Sequence, residues 1–310
     1  MKIIIIGAGA MGGLYGAYLS RNNEVIMVDT AQPVVDAIRD HGITVREPDG
    51  SENHYKENIT AYASGECAEK ANLVIMFVKS TYLDSALEQN KRLFYDDTIV
   101  MSLQNGAGND RKIEKYAKKE NIIIGTSKHN AVSEGCGIVR HTGQGATTIG
   151  SNHDAIEILD DIRRTLEESS FETVVSEDIQ RIIWGKLFVN LSVNTFTAIT
   201  QTPIAYMIKN KYAWNFAKRL IYEAVEVAEE DGTYFDRREV LESVRELCVA
   251  LEDGYSSMYQ DIKRKNKTEI DAINGAIVEQ AKLYGVPVPY NSLVVDLIHA
   301  IEGAYEYGEK

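Results

Sequence analysis

The chain has 310 residues, with 33 Lys and Arg against 46 Asp and Glu, and 44% of its residues are hydrophobic. This composition can form a buried core and excludes the disordered class of protein. A formal net charge of -13 argues against nucleic-acid and anionic-membrane partners, because both are bound by clustered Lys and Arg. At roughly 100 to 200 residues per domain, the length predicts one large domain or two of medium size.

The cysteines indicate a reducing compartment. Cys67, Cys136 and Cys248 are widely spaced and form no C-x-x-C pair, which suggests neither a disulfide framework nor a zinc site. The six histidines show no metal-ligand spacing, and no metal is predicted. No run approaches the roughly 20 apolar residues of a membrane span. A soluble, cytoplasmic protein is therefore expected.

The first half alternates short Val- and Ile-rich runs with longer amphipathic ones, which is typical of βαβ units in a parallel sheet. Lys2–Ile6 predicts a strand, Gly12–Asn22 a helix, Glu24–Val28 a strand and Gln32–His41 a helix. Three later runs predict further strands of the same sheet: Leu73–Val78, Thr98–Leu103 and Ile122–Gly125. In Gly137–Gly150, strand residues broken by glycines predict an antiparallel hairpin.

The second half has a different periodicity. Strand-like runs stop near Ser176, and helical spacing dominates from Asp178 through Ile301. This change predicts a boundary between two domains, residues 1–176 and 177–310. The predicted fold class is α/β, with a parallel-sheet domain at the N-terminus and an all-helical domain at the C-terminus.

A glycine-rich turn, G-A-G-A-M-G, follows the first strand and opens the first helix. In this context the pattern predicts a Rossmann-type dinucleotide site. Gly7 permits the tight turn, Gly9 lets the backbone approach a pyrophosphate, and Gly12 lets the helix pack against the strand. Ala10 and Met11 follow at the helix N-terminus, where free N–H groups bind an anion. The alternative is a glycine turn without a ligand.

An acidic residue, Asp29, ends the second strand twenty positions after Gly9, where such a side chain accepts hydrogen bonds from ribose hydroxyls. It would repel a 2′-phosphate, and Thr30 to Gln32 supply no arginine to neutralise one. The predicted cofactor is NAD(H) or NADP(H), and Asp29 favours NAD(H). The alternative is that Asp29 caps the next helix.

The main polar pattern of the second half is W-G-K-x3-N-x3-N, which spaces Lys186, Asn190 and Asn194 four residues apart. This spacing puts the three side chains on one stripe of a helix with apolar surroundings. A buried lysine has a lowered pKa and can protonate a carbonyl oxygen as hydride reaches the carbon, which is ketone reduction. A structural salt bridge is the alternative for Lys186, and a solvent-facing stripe is the alternative for all three.

A second polar cluster contains Ser256 and Ser257 and continues to T-E-I-D, which begins with Thr268 and Glu269. Thr268 at a helix start and Glu269 in the first turn fit ordinary helix capping. Capping does not account for the paired serines or for Asn274. A functional role for this cluster stays open.

Five motifs occur in order: G-A-G-A-M-G, F-V-K at 77–79, Q-N-G at 104–106, W-G-K-x3-N-x3-N, and S-S-M-x-Q-D-x6-T-E-I-D-x2-N-G at 256–275. Along nearly its whole length the sequence resembles the ketopantoate reductase (2-dehydropantoate 2-reductase) family. The resemblance implies a Rossmann domain followed by a helical domain. It also implies reduction of ketopantoate to D-pantoate for pantothenate synthesis.

The resemblance assigns residue roles as well. The catalytic positions of the family match Lys186, which would protonate the ketone, and Glu269, which would orient the lysine or the substrate. The substrate-binding positions match Asn105, Asn190, Asn194 and Ser257. The positions beside the nicotinamide match Lys79 and Asn105.

Asp29 departs from the family pattern, in which NADPH-preferring members carry a basic residue after the second strand. Relatives with an acidic residue there include NAD-dependent D-2-hydroxyacid dehydrogenases of the D-mandelate or D-2-hydroxyisocaproate type, which stay open as an alternative. A β-hydroxyacid dehydrogenase also uses K-x3-N on a helix, but it does not account for T-E-I-D. The last alternative is a dinucleotide sensor without chemistry. The helical half could also supply the surface of a homodimer.

Overall fold

The computed structural model describes residues 1–153, 156–251 and 254–307. The chain folds as two compact units: unit 1 is Met1–Gln104 with Asn109–Ile179, and unit 2 is Asn105–Gly108 with Gln180–Lys310. The end of the predicted second domain, 308–310, lies outside the described residues. A four-residue segment from the N-terminal half therefore folds with unit 2.

All the strands of the described residues belong to unit 1. In chain order they are β1 Lys2–Ile6, β2 Glu24–Asp29, β3 Ile43–Arg46, β4 Glu52–Tyr55, β5 Ile59–Ala63, β6 Leu73–Met76, β7 Ile99–Ser102, β8 Ile122–Ser127, β9 Asn130–Gly135, β10 Ile138–Gly143, β11 Thr147–Gly150 and β12 Thr173–Val175. Eight of them form one sheet in the order β12-β11-β8-β7-β6-β1-β2-β5. Every neighbouring pair in this sheet is parallel except β11 with β8.

The centre of the large sheet is apolar at consecutive positions rather than alternating ones. In β1, Ile3, Ile4 and Ile5 are all fully buried, which is typical of a parallel sheet with both faces covered. The helices of unit 1 are α1 Ala10–Leu19, α2 Gln32–His41, α3 Leu83–Gln89, α4 Asn109–Ile113 and α5 Ile156–Glu168. The predicted parallel-sheet domain is confirmed.

The first helix begins and ends earlier than predicted. The sequence predicted Gly12–Asn22, whereas α1 is Ala10–Leu19, because Gly9 is the N-cap and its carbonyl accepts the Gly13 N–H at 2.8 Å. The turn is tight: a Cβ at Gly12 would lie 1.8 Å from the Gly7 carbonyl oxygen. A further glycine, Gly16, leaves room for Met27 of β2.

A second sheet has the order β4-β3-β10-β9. It joins two distant parts of the chain, since β3 and β10 pair in parallel while each also has an antiparallel neighbour. The glycine-broken run Gly137–Gly150 contains the strands β10 and β11, each with an antiparallel partner, but the two do not pair with each other as the predicted hairpin requires. The run divides between the sheets, because β10 pairs with β9 and β11 pairs with β8 of the large sheet.

The described residues of unit 2 are helical or irregular, as the predicted all-helical domain requires. Its core surrounds α9, in which Leu220 and Ile221 are buried. The helices are α6 Ile179–Val189, a π-helical turn Asn190–Asn194, α7 Thr195–Thr200, α8 Tyr206–Lys209, α9 Lys211–Glu230, α10 Arg237–Ala250, α11 Ser257–Lys263, a 3-10 turn Ile270–Ala272, α12 Asn274–Tyr284 and α13 Pro289–Tyr307.

One continuous helical run among the described residues is long and apolar enough to cross a membrane. It is Ile179–Thr200, with a window of mean hydropathy 1.2 that is 56% buried inside the protein. The sequence predicted no run of this kind. Residues of α6 and α7 contribute to the core of unit 2. Because a buried core helix can be equally long and apolar, the run is weak evidence for a membrane span.

Gly12→Ala should lower the free energy of unfolding by about 1–3 kcal/mol, because its new methyl group would overlap backbone atoms in a packed turn. Urea denaturation followed by circular dichroism measures this change. Gly9→Ala is the matched control, since a Cβ there meets no atom within 4 Å. Equal denaturation midpoints for the two variants would contradict the packing role of Gly12.

Candidate active site

The glycine-rich turn has the geometry that an anion site requires. Gly7 adopts φ +104°, and a Cβ on it would lie 2.6 Å from the Val78 backbone nitrogen. Gly9 is exposed and faces open space, and it supplies no side-chain cap to α1. The first N–H groups of α1, at Ala10 and Met11, have no intrahelical acceptor. The turn therefore fits the pyrophosphate of a dinucleotide.

Asp29 is bonded to this turn. Its Oδ2 accepts the Ala8 N–H at 2.7 Å, and its Oδ1 accepts the Ala31 N–H at 2.9 Å. The N-cap of α2 is Ala31, not Asp29. Asp29 thus joins the glycine-rich turn to the end of β2. Each carboxylate oxygen retains a further lone pair for another donor.

The Q-N-G tripeptide divides between the two units. In unit 1, Gln104 donates from Nε2 to the Val78 carbonyl oxygen at 2.6 Å, next to the exposed Lys79. In unit 2, Asn105 donates from Nδ2 to Glu269 Oε2 at 2.9 Å. Gly106, at φ +94°, leaves no room for a side chain because a Cβ would lie 2.1 Å from the Ala272 carbonyl oxygen.

Lys186 and Glu269 interact electrostatically within unit 2. Burial lowers the pKa of the Lys186 ammonium below its ordinary value, and the negative charge of Glu269 opposes this shift without cancelling it. The structure thereby brings Lys186, Glu269 and Asn105 into one group, since Asn105 bonds to the same carboxylate. The Lys186 side chain keeps partial solvent exposure, and an amine with a lowered pKa that interacts with a carboxylate is suited to proton transfer.

The segment that carries Glu269 is fixed from α13. Glu302 Oε1 accepts hydrogen bonds from both the backbone N–H and the hydroxyl of Thr268, at 2.7 and 2.8 Å. His299 contacts Asp271 at 2.8 Å and Glu302 at 3.4 Å. Thr268 Oγ1 accepts the Ile270 N–H at 3.2 Å. The N-cap of the 3-10 turn Ile270–Ala272 is nevertheless Glu269, without a side-chain cap bond, so the expected helix start at Thr268 with Glu269 in the first turn is wrong by one position.

Asn190 and Asn194 occupy the two ends of the π-helical turn between α6 and α7. Asn194 Nδ2 donates to Asn190 Oδ1 at 3.1 Å, and both side chains are partly exposed. The sequence predicted a regular helical stripe, and the π turn was missed. Single π turns within α-helices are rare and frequent at functional sites.

Ser257 begins α11 and is exposed, whereas Ser256 is buried. The Ser256 hydroxyl lies 2.7 Å from Thr197 Oγ1 of α7 and accepts the Tyr259 N–H at 3.1 Å. The paired serines therefore differ: Ser256 caps α11 and binds it to α7, and Ser257 presents its side chain at the surface. Among the described residues, the Asn190 and Asn194 side chains bond to each other and not to Ser257.

Two histidines of unit 1, His129 and His141, form a buried chain that ends on Glu47. His129 Nδ1 lies 3.1 Å from His141 Nε2, and His141 Nδ1 lies 3.0 Å from Glu47 Oε2. Burial lowers the pKa of His129, and His141 adds to that effect. Within the described ranges, no group of three or more His, Cys, Asp or Glu is placed to hold a metal ion.

Two family models match the chain over most of its length. One, described as ketopantoate reductase PanE/ApbA, matches residues 3–154, and the other, its C-terminal model, matches residues 178–302. The chain belongs to the ketopantoate reductase family. The resemblance inferred from the five motifs is confirmed, and the family is one of oxidoreductases acting on CH–OH groups.

Several ketopantoate reductases are similar to this chain along its length. The 2-dehydropantoate 2-reductase of Lactococcus lactis subsp. lactis is 34% identical, covering 97% of this chain and 98% of the relative. That of Pyrococcus horikoshii is also 34% identical with the same coverage. The solved structure of a D-mandelate dehydrogenase with NADH and anilino(oxo)acetate matches with a TM-score of 0.89 at 33% identity, covering 98% and 99% of the two chains.

His299→Gln should destabilise the ketopantoate reductase fold more at pH 6 than at pH 8.5. Burial alone would lower the pKa of His299, but Asp271 and Glu302 outweigh it and raise the pKa. A raised pKa adds stability that is complete below the unfolded value of about 6.5 and is lost as pH rises through the folded value.

Urea denaturation of wild type and variant measures the effect. The difference in free energy of unfolding should stay under about 1 kcal/mol, because His299 and Asp271 are both exposed. His54→Gln is the control, since His54 lies on the surface strand β4 of unit 1. A difference that grew with rising pH would contradict the assignment.

Proposed function

We propose that this chain reduces a branched 2-keto acid to the D-2-hydroxy acid with NAD(P)H, and that the substrate is ketopantoate, reduced to pantoate for pantothenate biosynthesis. The observation that carries the proposal is the group of Lys186, Glu269 and Asn105, in which Asn105 Nδ2 bonds Glu269 Oε2 at 2.9 Å and the Glu269 charge acts on the Lys186 amine, whose pKa is lowered by burial. A pure dinucleotide sensor has no need of such a group. The similarity to 2-dehydropantoate 2-reductases at 34% identity supports the choice of substrate.

The proposed proton donor is Lys186. Bound NAD(P)H supplies hydride to the ketone carbon. Lys186 in its ammonium form gives a proton from Nζ to the ketone oxygen, which becomes the new hydroxyl. Glu269 keeps the amine close to the substrate and favours its charged form before transfer, and Asn105 Nδ2 holds Glu269 through the 2.9 Å bond to Oε2.

The remaining polar residues orient the substrate. Asn190 and Asn194 have both donors and acceptors for a carboxylate or hydroxyl, and Ser257 adds an exposed hydroxyl. Asn105 also serves the substrate, and Lys79 serves the nicotinamide. These roles rest on matching motif positions and on the accessible placement of the side chains.

For the cofactor, we propose NAD(H) in preference to NADP(H). The glycine-rich turn of Gly7, Gly9, Ala10, Met11 and Gly12 would hold the pyrophosphate. Asp29 would accept the ribose hydroxyls and repel a 2′-phosphate, and its bonds to Ala8 and Ala31 hold the carboxylate at the turn. The D-mandelate dehydrogenase that matches at 33% identity was solved with NADH.

That structural similarity favours a second candidate function. A D-2-hydroxyacid dehydrogenase of the D-mandelate or D-2-hydroxyisocaproate type would use the same lysine, glutamate and asparagines. It would reduce the same keto group in a 2-keto acid that carries a different substituent. We further propose a cytoplasmic location, from the cysteine content, and a homodimer, from the helical half. A small-molecule substrate is the only partner that the catalytic proposal requires.

Lys186→Ala should reduce kcat/KM by about 10²–10⁴-fold, the usual contribution of a general acid, while the dissociation constant of NADH stays near wild type. Steady-state rates at 340 nm and NADH fluorescence titration measure these two quantities. Lys282→Ala is the control, because Lys282 is exposed on α12. Near-normal turnover by Lys186→Ala would remove the lysine from the mechanism.

The pH profile gives a second prediction for the same residue. Because the acid must be protonated, kcat/KM of the wild type should fall as pH rises through the lowered pKa of Lys186. Lys186→Arg should lack this alkaline fall, since arginine stays protonated. The same alkaline fall in both proteins would assign it to another group.

Ketopantoate, benzoylformate and 2-ketoisocaproate, each with NADH and NADPH, distinguish the candidate functions. We expect the highest kcat/KM with ketopantoate and NADH. Asp29→Asn should narrow the NADH preference several-fold, because like charges about 4 Å apart repel by about 1 kcal/mol in water. Preference for either other acid would identify a D-2-hydroxyacid dehydrogenase, and cofactor binding without turnover of any acid would identify a sensor.

A further inference from the structure

A buried network of polar side chains is hydrogen-bonded to the π-helical turn Asn190–Asn194 and to the first residue of α7. Asn274, the first residue of α12, is fully buried and uses every proton of its amide. Its Nδ2 donates to the Leu191 carbonyl oxygen at 3.1 Å and to Asn291 Oδ1 at 3.0 Å. Its Oδ1 accepts the Thr195 hydroxyl at 2.7 Å. One amide therefore bonds two points of the helix 179–200.

The two bonded points lie beside the proposed substrate-binding amides. Leu191 follows Asn190 and Thr195 follows Asn194 in the chain, so Asn274 holds a neighbour of each. Ser192 also bonds a backbone carbonyl of this region, since its hydroxyl donates to the Phe188 carbonyl oxygen at 2.6 Å, but that bond is local to the same helix. Asn274 is distant in sequence, and its bond is tertiary.

The orientation of the Asn274 amide is itself fixed. Asn291 of α13 presents Oδ1 to it and directs Nδ2 to Glu223 Oε2 at 2.8 Å. Glu223 of α9 also accepts the backbone N–H groups of Tyr290 and Asn291, both at 2.9 Å, at the positive end of α13. Rotating the Asn274 amide by half a turn would bring two oxygens together at Asn291.

We propose that Asn274 is a positioning residue that sets the π-helical turn, and through it the directions of the Asn190 and Asn194 side chains. It touches neither substrate nor cofactor, since it is fully buried. It also begins the helix that follows Glu269 by five positions, so the same residue anchors the Glu269 segment to the π turn. This inference rests on the proposed function of Asn190 and Asn194.

Two substitutions with little change of volume test the proposal. Asn274→Asp keeps an acceptor for the Thr195 hydroxyl but loses the donor to the Leu191 carbonyl, and Thr195→Val removes the hydroxyl that Asn274 accepts. The same result is expected for both variants. We expect kcat/KM for the 2-keto acid to fall about 10- to 100-fold, as for a small misplacement of groups that orient substrate, mainly through KM. The dissociation constant of NADH should stay within about twofold of wild type, since unit 1 supplies the dinucleotide turn.

Val244→Ala is the matched destabilising control, because Val244 is buried in α10 at 1% exposure and lies outside the network. It should lower the urea midpoint as much as the Asn274 variant or more and leave KM unchanged. A KM shift of equal size in Val244→Ala would show that the effect of Asn274→Asp on KM comes from lost stability alone, and it would overturn the proposal.

A mutant cycle with the pair Asn190→Ala and Asn194→Ala separates positioning from independent effects. If Asn274 acts through these two side chains, Asn274→Asp should change KM by less than about threefold in the background that lacks both. Full additivity of the two effects would overturn the proposal while leaving the proposed function intact.

Hydrogen exchange tests the same residue without activity. Backbone amides of residues 190–196 should exchange faster in Asn274→Asp than in wild type, and no faster in Val244→Ala. Unchanged exchange in Asn274→Asp would overturn the positioning role directly. A wild type that reduced none of the three acids, with faster exchange in Asn274→Asp, would overturn the proposed function and leave Asn274 as the residue that sets the π turn.

Discussion

The central interaction of unit 2 is the electrostatic pairing of the Lys186 amine with the Glu269 carboxylate. Burial favours the neutral form of Lys186, and Glu269 supplies the opposing charge. A buried charge is costly unless a partner is held close, and three separate elements hold this partner. Asn105 bonds the Glu269 carboxylate, Glu302 fixes Thr268, the residue before it, and Asn274 anchors the helix after it.

The sequence was informative about unit 1 because its signals are local. Consecutive isoleucines in β1, the G-x-G-x-x-G turn and the strand after it are all within the first 29 residues. The early start of α1 was missed, since a motif does not reveal that Gly9 is the N-cap. Strand β4, whose residues are mostly exposed and polar, was missed because it gives no apolar signal.

The candidate site in unit 2 was predicted as a set of residues and not as a set of contacts. Motif spacing pointed to Lys186, Asn190 and Asn194, but it implied a uniform helix where the chain forms a π turn. Within the π turn, the Leu191 carbonyl accepts a hydrogen bond from Asn274, which lies 83 residues later in the chain. No local pattern encodes such a tertiary bond, so the role of Asn274 stayed open at the sequence level.

The small sheet has a consequence for synthesis on the ribosome. Strand β3 carries the buried Ile43 and Val45, yet its parallel partner β10 begins at Ile138. At about 5–20 residues per second, translation needs roughly 5 to 20 seconds to cover that interval. Until then the nascent chain holds an apolar strand with an unpaired edge. Chaperones that bind nascent chains would therefore bind this protein at β3. Slow codons between β3 and β10 would lengthen the time for which that edge stays unpaired.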